Sequence, residues 1–479
     1  MRFKFHNWIT YSGFFLIAFS QPGCKKLVDV NPPTSGVSGA TAFNSDGTAI
    51  AVMTGVYTNM SQSFFGGGGL PSMSLFPSLS ADELSVYGDF NTLDVVYYTN
   101  ALTNGNTGSA DFWNNIYPVV YVVNSAIQGL NSSTGLTPAV KQQLTGEAYF
   151  MRAFCYFYLV NLYGDVPLVT NTNYAVTSGL ARTPTSQVWT QINSDLQNAQ
   201  HLLDSGYMDA TLLTATSERV RPTVWAATAL LSRAYLYQKK WDSAAMEATA
   251  VINQSALYSL DTLNGVFLAN SNEAIWQLQP VFAGQNTQDA LLFVLPASGP
   301  DGISYPVYLD TILVDAFEPL DQRRVDWVGS VDVGSTTYFY PYKYKQNTSS
   351  AAMPTEYEMV LRLGEQFLVR AEAEAQLNQF SAATMDLNAI RLRAGLAGTG
   401  ATTQSNLLSA IAHERQVELF TEWGHRWLDL KRTNMVNTVM SVVTPEKGGQ
   451  WNSDWQWYPI SLYELQHDHN LVQNAGYGN

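Results

Sequence analysis

Apolar residues recur every three to four positions through most of this chain, and the stripes they form predict helices. Between 41 and 60, Phe43, Ile50, Met53, Val56 and Tyr57 fall at helical spacing. A long helix opens at Asp111 and runs to about Leu130; the next covers 141–163 and stops at Gly164 and Pro167. Over 186–203 the stripe is Val188, Trp189, Ile192, Leu196 and Leu203. Three helix–turn–helix pairs follow: 222–238 with 241–252, 358–377 with 380–392, and 407–423 with the segment after Gly424.

Two of these pairs match each other. Ala234, Leu236, Trp241, Ala244 and Val251 correspond to Ala373, Ala375, Phe380, Ala383 and Ile390, each shifted by 139 residues (373 − 234, 390 − 251). Small residues let paired helices approach, and the aromatic fills the gap beside the turn. The placement is that of a tetratricopeptide-like helix pair. The repeat is degenerate, with Arg370 standing where Leu231 predicts an apolar side chain.

The segment 261–355 is different. Residues 273–279 alternate like a strand, and 336–344 is a strand-like run of aromatics. Residues 71–110 are loop-rich, and the glycines at 66–69 form a link without the Lys-Ser/Thr of a phosphate loop. The pattern therefore predicts an all-α, helical-repeat scaffold of about four helix pairs, with long loop-rich inserts and minor β-structure.

The 479 residues carry a formal net charge of −14, which disfavours nucleic acid and anionic lipid as partners. A mean hydropathy of −0.07 excludes a multi-span membrane protein. The two cysteines imply no disulfide framework: Cys155 sits in an apolar helical run, and Cys24 follows a signal-like segment. There Arg2 and Lys4 precede a short apolar stretch, as in a secretory signal peptide. The stretch Gln21-Pro22-Gly23-Cys24 resembles the bacterial lipobox, with Gln21 where an aliphatic residue is usual. The expected organisation is a lipoprotein signal peptide (1–23), an anchor and linker (24–40), and a single domain (41–479) with parts 41–255 and 256–479. Removing Arg2 and Lys4 takes the charge from −14 to −16.

Charge concentrates in 414–432. On a continuous helix Glu414, Glu418 and Glu422 would share a face. Arg426, Asp429 and Arg432 follow Gly424 at three-residue spacing. With Trp423 and Trp427 among them, these residues predict a partly buried ion-pair network tying two helices together rather than an acid–base pair.

Several segments together resemble the SusD/RagB family of outer-membrane nutrient-binding lipoproteins. They are 146–153 with 162–168, 113–117 with Asn124, Asp315-Ala316-Phe317 with Asp321-Gln322-Arg323-Arg324, the 414–432 stretch, and the tail from Trp457 to Tyr477. The resemblance implies a tetratricopeptide-like fold and no enzymatic activity. It implies capture of an oligosaccharide at the outer surface, in partnership with a SusC-like TonB-dependent β-barrel transporter. It also implies lipidation of Cys24 and a surface-exposed, lipid-anchored location. A peptide or glycopeptide ligand, a helical-toroid glycoside hydrolase and a protein-binding repeat scaffold are the alternatives.

No cofactor is expected. His413-Glu414 lacks the second histidine of a zinc-protease helix, and His467-Asp468-His469 has no third ligand nearby in sequence. Sugars present apolar C–H faces and hydroxyl edges, so a site needs aromatic rings with amides, carboxylates or arginine. Two regions fit: 82–100, with Tyr87, Phe90, Tyr97, Tyr98 and Asn100, and 305–327, with Tyr305, Tyr308, Arg324 and Trp327. The family resemblance points to Tyr305 and Trp327 as stacking positions.

Overall fold

The computed structural model describes residues 41–62, 73–89, 92–106, 112–347 and 353–478, which belong to one compact unit. The signal segment, Cys24, the glycine run and Phe90 lie outside the described residues. The first part of the chain holds α1 (Asp46–Gln62), α2 (Phe76–Ser80), β1 (Leu84–Val86), α3 (Thr92–Tyr98), α4 (Phe112–Ser132) and α5 (Pro138–Tyr163). It continues through α6 (Tyr174–Thr177), α7 (Thr185–Leu202), α8 (Val224–Tyr237) and α9 (Trp241–Ile252). The insert holds β2 (Ala274–Leu278), α10 (Gln288–Phe293), β3 (Val307–Leu309), α11 (Thr311–Ala316), α12 (Gln322–Asp326), β4 (Val328–Val333) and β5 (Thr336–Pro341). Then come β6 (Glu358–Arg362), α13 (Leu363–Gln376), α14 (Phe380–Arg393), α15 (Gln404–Glu418), α16 (His425–Arg432), α17 (Val436–Glu446) and α18 (Leu462–His467).

α5 is the axis of the first part. Pro138 opens it, where a missing amide proton costs nothing, and Gly164 closes it at φ 75°. It is buried without a break from Phe150 to Val160, so it has no polar stripe. Cys155 is a buried free thiol within it. A Cβ on Gly146 would stand 2.9 Å from Leu203, so glycine lets the end of α7 close onto α5.

The two matching pairs superimpose in detail along the sequence. α8 and α13 begin and end at positions 139 residues apart. The turns match as well: Lys239 (φ 58°) and Asn378 (φ 61°) both sit in the left-handed region. In each, the next amide reaches back five residues, Lys240 to Tyr235 (2.9 Å) and Gln379 to Glu374 (2.8 Å). This satisfies carbonyls at the helix end. Asn434 (φ 61°) repeats the turn between α16 and α17, with Met435 bonding Leu430 at 2.8 Å. Arg370 is not a packing fault, because it forks onto Asp386 of α14 at 2.6 and 2.7 Å.

The expected helix over 358–377 is corrected at its start. Residues 358–362 form β6, fully buried, paired antiparallel with β2. Helical periodicity and a buried strand cannot be told apart over five apolar-rich residues, and the partner strand decides. The helix over 407–423 likewise ends at Glu418, because Thr421 (φ 51°) and Trp423 (φ 48°) are left-handed. Glu422 therefore shares no helical face with Glu414 and Glu418.

The carboxylates nevertheless meet. Glu418 is fully buried and accepts from Arg362 (2.6 Å), Arg323 (2.9 Å) and Arg393. Arg323 also reaches Glu414 (2.6 Å) and Asp321 (2.8 Å), and Arg393 reaches Glu273 (2.6 Å). Arg362 bonds Glu422 at 2.8 Å, which also takes the Lys343 ammonium at 2.5 Å. Burial would raise the Glu418 pKa, but the three arginines hold it far below the usual carboxylate range. Arg426 stands outside this network. It makes a bidentate pair with Asp82 at 2.7 and 2.6 Å, fastening α16 to the chain two residues before β1.

Glu418→Gln leaves three buried guanidiniums short of charge. It is expected to cost about 3–5 kcal/mol in urea unfolding. A loss below about 1 kcal/mol would mean that the network does not hold the scaffold.

A second expectation concerns pH. Burial raises the Glu83, Asp94, Asp289 and Glu374 carboxyls to about 7. The folded chain keeps these protons to about pH 7, whereas the unfolded chain releases them near pH 4. Their contribution is thus complete below about pH 4 and is lost as pH rises through 7. His425 works the other way, its imidazole kept neutral first by burial and then by Arg233 and Arg415. The carboxyls outnumber it. Lys343, Lys345 and Lys447, lowered by burial to about 8, also oppose the carboxyls, but only as pH approaches 8. The melting temperature should therefore fall from pH 5 to pH 7, with a shallower slope in Glu83→Gln. A rising profile would overturn this sign.

Candidate functional site

The two aromatic regions, far apart in sequence, are strands of one ladder. β1 pairs antiparallel with β3, with Ser85 opposite Tyr308. The ladder extends at both ends, from the Tyr87 amide to Pro306 (2.7 Å) and from the Asp310 amide to Glu83 (2.9 Å). Leu84 and Leu309 are buried on the core side, so alternation gives Ser85 and Tyr308 the opposite face.

β5 crosses that face. The Tyr338 ring meets Tyr308 at 5.1 Å and 82°, and Tyr87 at 5.7 Å and 74°. Both contacts are edge-to-face, the arrangement the ring quadrupoles favour. α3 delivers Tyr98 to the same place. Tyr87, Tyr98, Tyr308 and Tyr338 are each half-buried, held by neighbours while keeping part of the ring in solvent.

A polar floor lies beneath. Ser85 Oγ donates to Asp310 Oδ2 at 2.6 Å, and Asp310 Oδ1 caps α11 by accepting from the Ile312 amide at 2.9 Å. The hydroxyls of Tyr98 and Tyr308 also engage Ser85. Burial first of all raises both phenol pKa values; the Asp310 charge adds to this at Tyr98, and at Tyr308 it adds after the neighbouring Tyr98 and Tyr338 phenols. These hydroxyls are therefore neutral donor–acceptors at ordinary pH. The Lys447 ammonium lies 4.9 Å from the Tyr98 ring centroid and donates to the carbonyls of Leu79 (2.8 Å) and Ala81. The arrangement suits an uncharged ligand with apolar ring faces and hydroxyl edges.

A loop borders the face. Asp301 Oδ1 accepts from the amides of Ile303 (2.9 Å), Ser304 (2.7 Å) and Tyr305 (2.9 Å), which fixes the loop that carries half-buried Tyr305. Gly299 (φ 78°) lets that loop rest on the β4–β5 hairpin, since a Cβ there would lie 2.4 Å from Val333.

The remaining predicted positions fall elsewhere. Trp327 is corrected: it is fully buried, with Nε1 donating to Leu263 O at 2.8 Å. Its ring packs against Lys343 (5.1 Å), Arg393 (5.5 Å) and Arg362 (6.0 Å), so no face remains for a ligand. Tyr97 is also a core residue, 4.5 Å from Phe76 and 5.3 Å from Tyr458. Asn100 is buried at φ 51° and donates to Ser80 O (3.1 Å) and Thr444 Oγ1 (3.0 Å), a structural turn. Half-buried Arg324 lies 4.5 Å from the Phe339 ring centroid, and Phe339 alternates away from Tyr338. Tyr338, Ser85 and Asp310 were not singled out by sequence. The aromatic alternation around 338 was visible; the ladder that makes it meaningful was not.

Carboxylates near the face are committed to structure. Asp82 is forked onto Arg426, and Glu83, 1% exposed, accepts from Ser78 Oγ at 2.6 Å. The His467 ring bonds the Tyr463 carbonyl at 2.7 Å. Among the described residues one cluster has metal-like spacing, Glu318, His413 and Glu414. Arg391 already occupies its Glu318 at 2.5 and 3.0 Å.

Comparison with known proteins adds a family. A model of the SusD family matches residues 329–477, and a second, described as starch-binding associating with outer membrane, matches 45–236. SusD-like protein P2 of Formosa agariphila is 27% identical over 530 aligned residues, spanning 97% of this chain and 99% of that protein. A SusD superfamily protein from Bacteroides vulgatus has the same fold, with a TM-score of 0.76 at 22% identity, covering 90% of this chain and 99% of that one. A laminarin-binding SusD-like protein gives 0.72 at 23% identity, covering 90% and 99%. Two family models spread over the helical scaffold, a relative matched along its whole length and a shared fold agree: the chain belongs to the SusD family.

Proposed function

We propose that this protein captures a neutral oligosaccharide on the face formed by Tyr87, Tyr98, Tyr308 and Tyr338. The observation that carries the reading is the tyrosine cluster itself, assembled on the β1–β3 ladder by β5. Half-buried phenol rings offer stacking surface at small entropic cost, and their hydroxyls join Ser85 and Asp310 in selecting sugar hydroxyls. The net charge of −14 favours an uncharged ligand over an anionic one at this face. A starch-binding family description and a laminarin-binding structural neighbour support the ligand class.

The outer membrane is the site of action that the family description supports. We further propose that Cys24 carries the lipid anchor, that the domain faces outward, and that captured ligand passes to a SusC-like TonB-dependent transporter. More than one acyl chain is needed for stable anchoring, which a lipobox cysteine provides.

Affinity electrophoresis in gels cast with laminarin or starch tests the site. Tyr338→Ala should weaken retention about 2- to 10-fold, the equivalent of one aromatic stacking contact, with little change in melting temperature. Trp327→Ala should instead lose about 3–5 kcal/mol of stability as a core truncation. Unchanged retention in Tyr338→Ala, or no retention of either polysaccharide by the intact protein, would sink the proposal. For the anchor, radiolabelled palmitate should mark the full chain expressed in a Gram-negative host and be absent from Cys24→Ser; label in that variant would refute the lipid site.

A further inference from the structure

A groove of about 660 Å³ lies among the α8–α9 turn, α13, α15, α16 and the start of α17, and it shares no residue with the tyrosine face. Its size suits a one- or two-ring ligand. Trp241, half-buried, supplies an aromatic wall, and the side-chain amides of Gln376 and Gln416 supply donors and acceptors. These residue types are the ones a saccharide needs.

Charge distinguishes the groove from the tyrosine face. Its lining includes Lys239, Arg415, Arg426 and Arg432 against Glu372 and Asp429. Arg426 is taken by Asp82, outside the lining. Asp429 serves two guanidiniums, Arg415 at 2.7 Å and Arg432 at 2.6 Å, and Arg432 also forks onto Glu372 at 2.5 and 2.7 Å. Arg415 is 2% exposed, gives Nε and Nη2 to Asp429, and leaves Nη1 without a hydrogen-bond partner. Lys239 stands exposed at the rim. With Arg426 matched by Asp82, the lining keeps Lys239, Arg415 and Arg432 against Glu372 and Asp429, so in a chain of net charge −14 the groove has an excess of one positive charge, on Lys239, beside an aromatic wall.

We infer that this groove is a second saccharide site, selective for a sugar that bears a carboxylate, such as a uronic acid unit. The ring lies against Trp241, its hydroxyls meet Gln376 and Gln416, and the carboxylate sits toward Lys239. The inference rests on the reading of the chain as a saccharide binder but uses different residues, so the two can fail separately.

Calorimetry at low salt with digalacturonate, cellobiose and sodium acetate tests it on the intact domain, Lys239→Glu, Gln416→Ala and Tyr338→Ala. Digalacturonate should bind one-to-one, at least tenfold tighter than cellobiose. Lys239→Glu should weaken it at least tenfold, Gln416→Ala more modestly, and Tyr338→Ala not at all. Equal binding of cellobiose, equal binding of acetate, insensitivity to Lys239→Glu, loss in Tyr338→Ala, or no binding of digalacturonate would each overturn the assignment. Should Lys239→Glu lower the melting temperature, Gln416→Ala decides, and an unchanged affinity there overturns it. Failure of Tyr338→Ala to affect laminarin retention bears only on the tyrosine face.

Discussion

A carboxylate taken out of water needs its hydration replaced by cations and donors, and Glu418 imposes that demand on segments from three parts of the chain. Arg323 comes from α12 in the insert, Arg362 from the end of β6, and Arg393 from the end of α14. Removing one partner leaves an uncompensated buried charge, so the segments are held together more strictly than apolar contact alone would require. The network therefore fixes where the insert re-enters the repeat scaffold. Trp327 and Lys343 flank the β4–β5 hairpin and both pack into this cluster, so the hairpin that bears Tyr338 is positioned at its base by the same charges.

The tyrosine face depends on that constraint and on a short backbone ladder. β1 and β3 are only three residues each, yet their pairing places residues from the N-terminal part beside residues of the insert. Asp82, two residues before β1, is fastened to α16 by Arg426. A structural ion pair thus stands directly behind a candidate binding surface. Stability and recognition meet there through backbone position rather than through shared side chains.

Much of the scaffold was legible in the sequence. The 139-residue correspondence between the α8–α9 and α13–α14 pairs reaches the left-handed turn residues Lys239 and Asn378. Small residues, an aromatic and a turn at fixed offsets are local features, and local features survive in a linear reading. The 414–432 stretch was also legible as an ion-pair clamp, although Glu422 reaches it from a turn and Arg426 belongs to another pair. The candidate site was less legible. Tyr87 and Tyr98 reach the tyrosine face, whereas Tyr97 and Trp327 are core, because residue type alone does not tell a stacking platform from a packed ring.

By itself, the amino-acid sequence determined the helical class, the repeat, the acidic surface and the resemblance that the comparisons support. Each is carried by periodicity, composition or short motifs, which depend on residues near one another along the chain. Only the tertiary structure decided that 358–362 is a strand, that Trp327 is sealed by three cations, and that Tyr338 completes a face with Tyr87 and Tyr308. Those outcomes are set by burial and by partners that the fold brings together, from 16 residues apart (Trp327 and Lys343) to 251 (Tyr87 and Tyr338), and exposure of a ring is a property of its neighbours rather than of the ring.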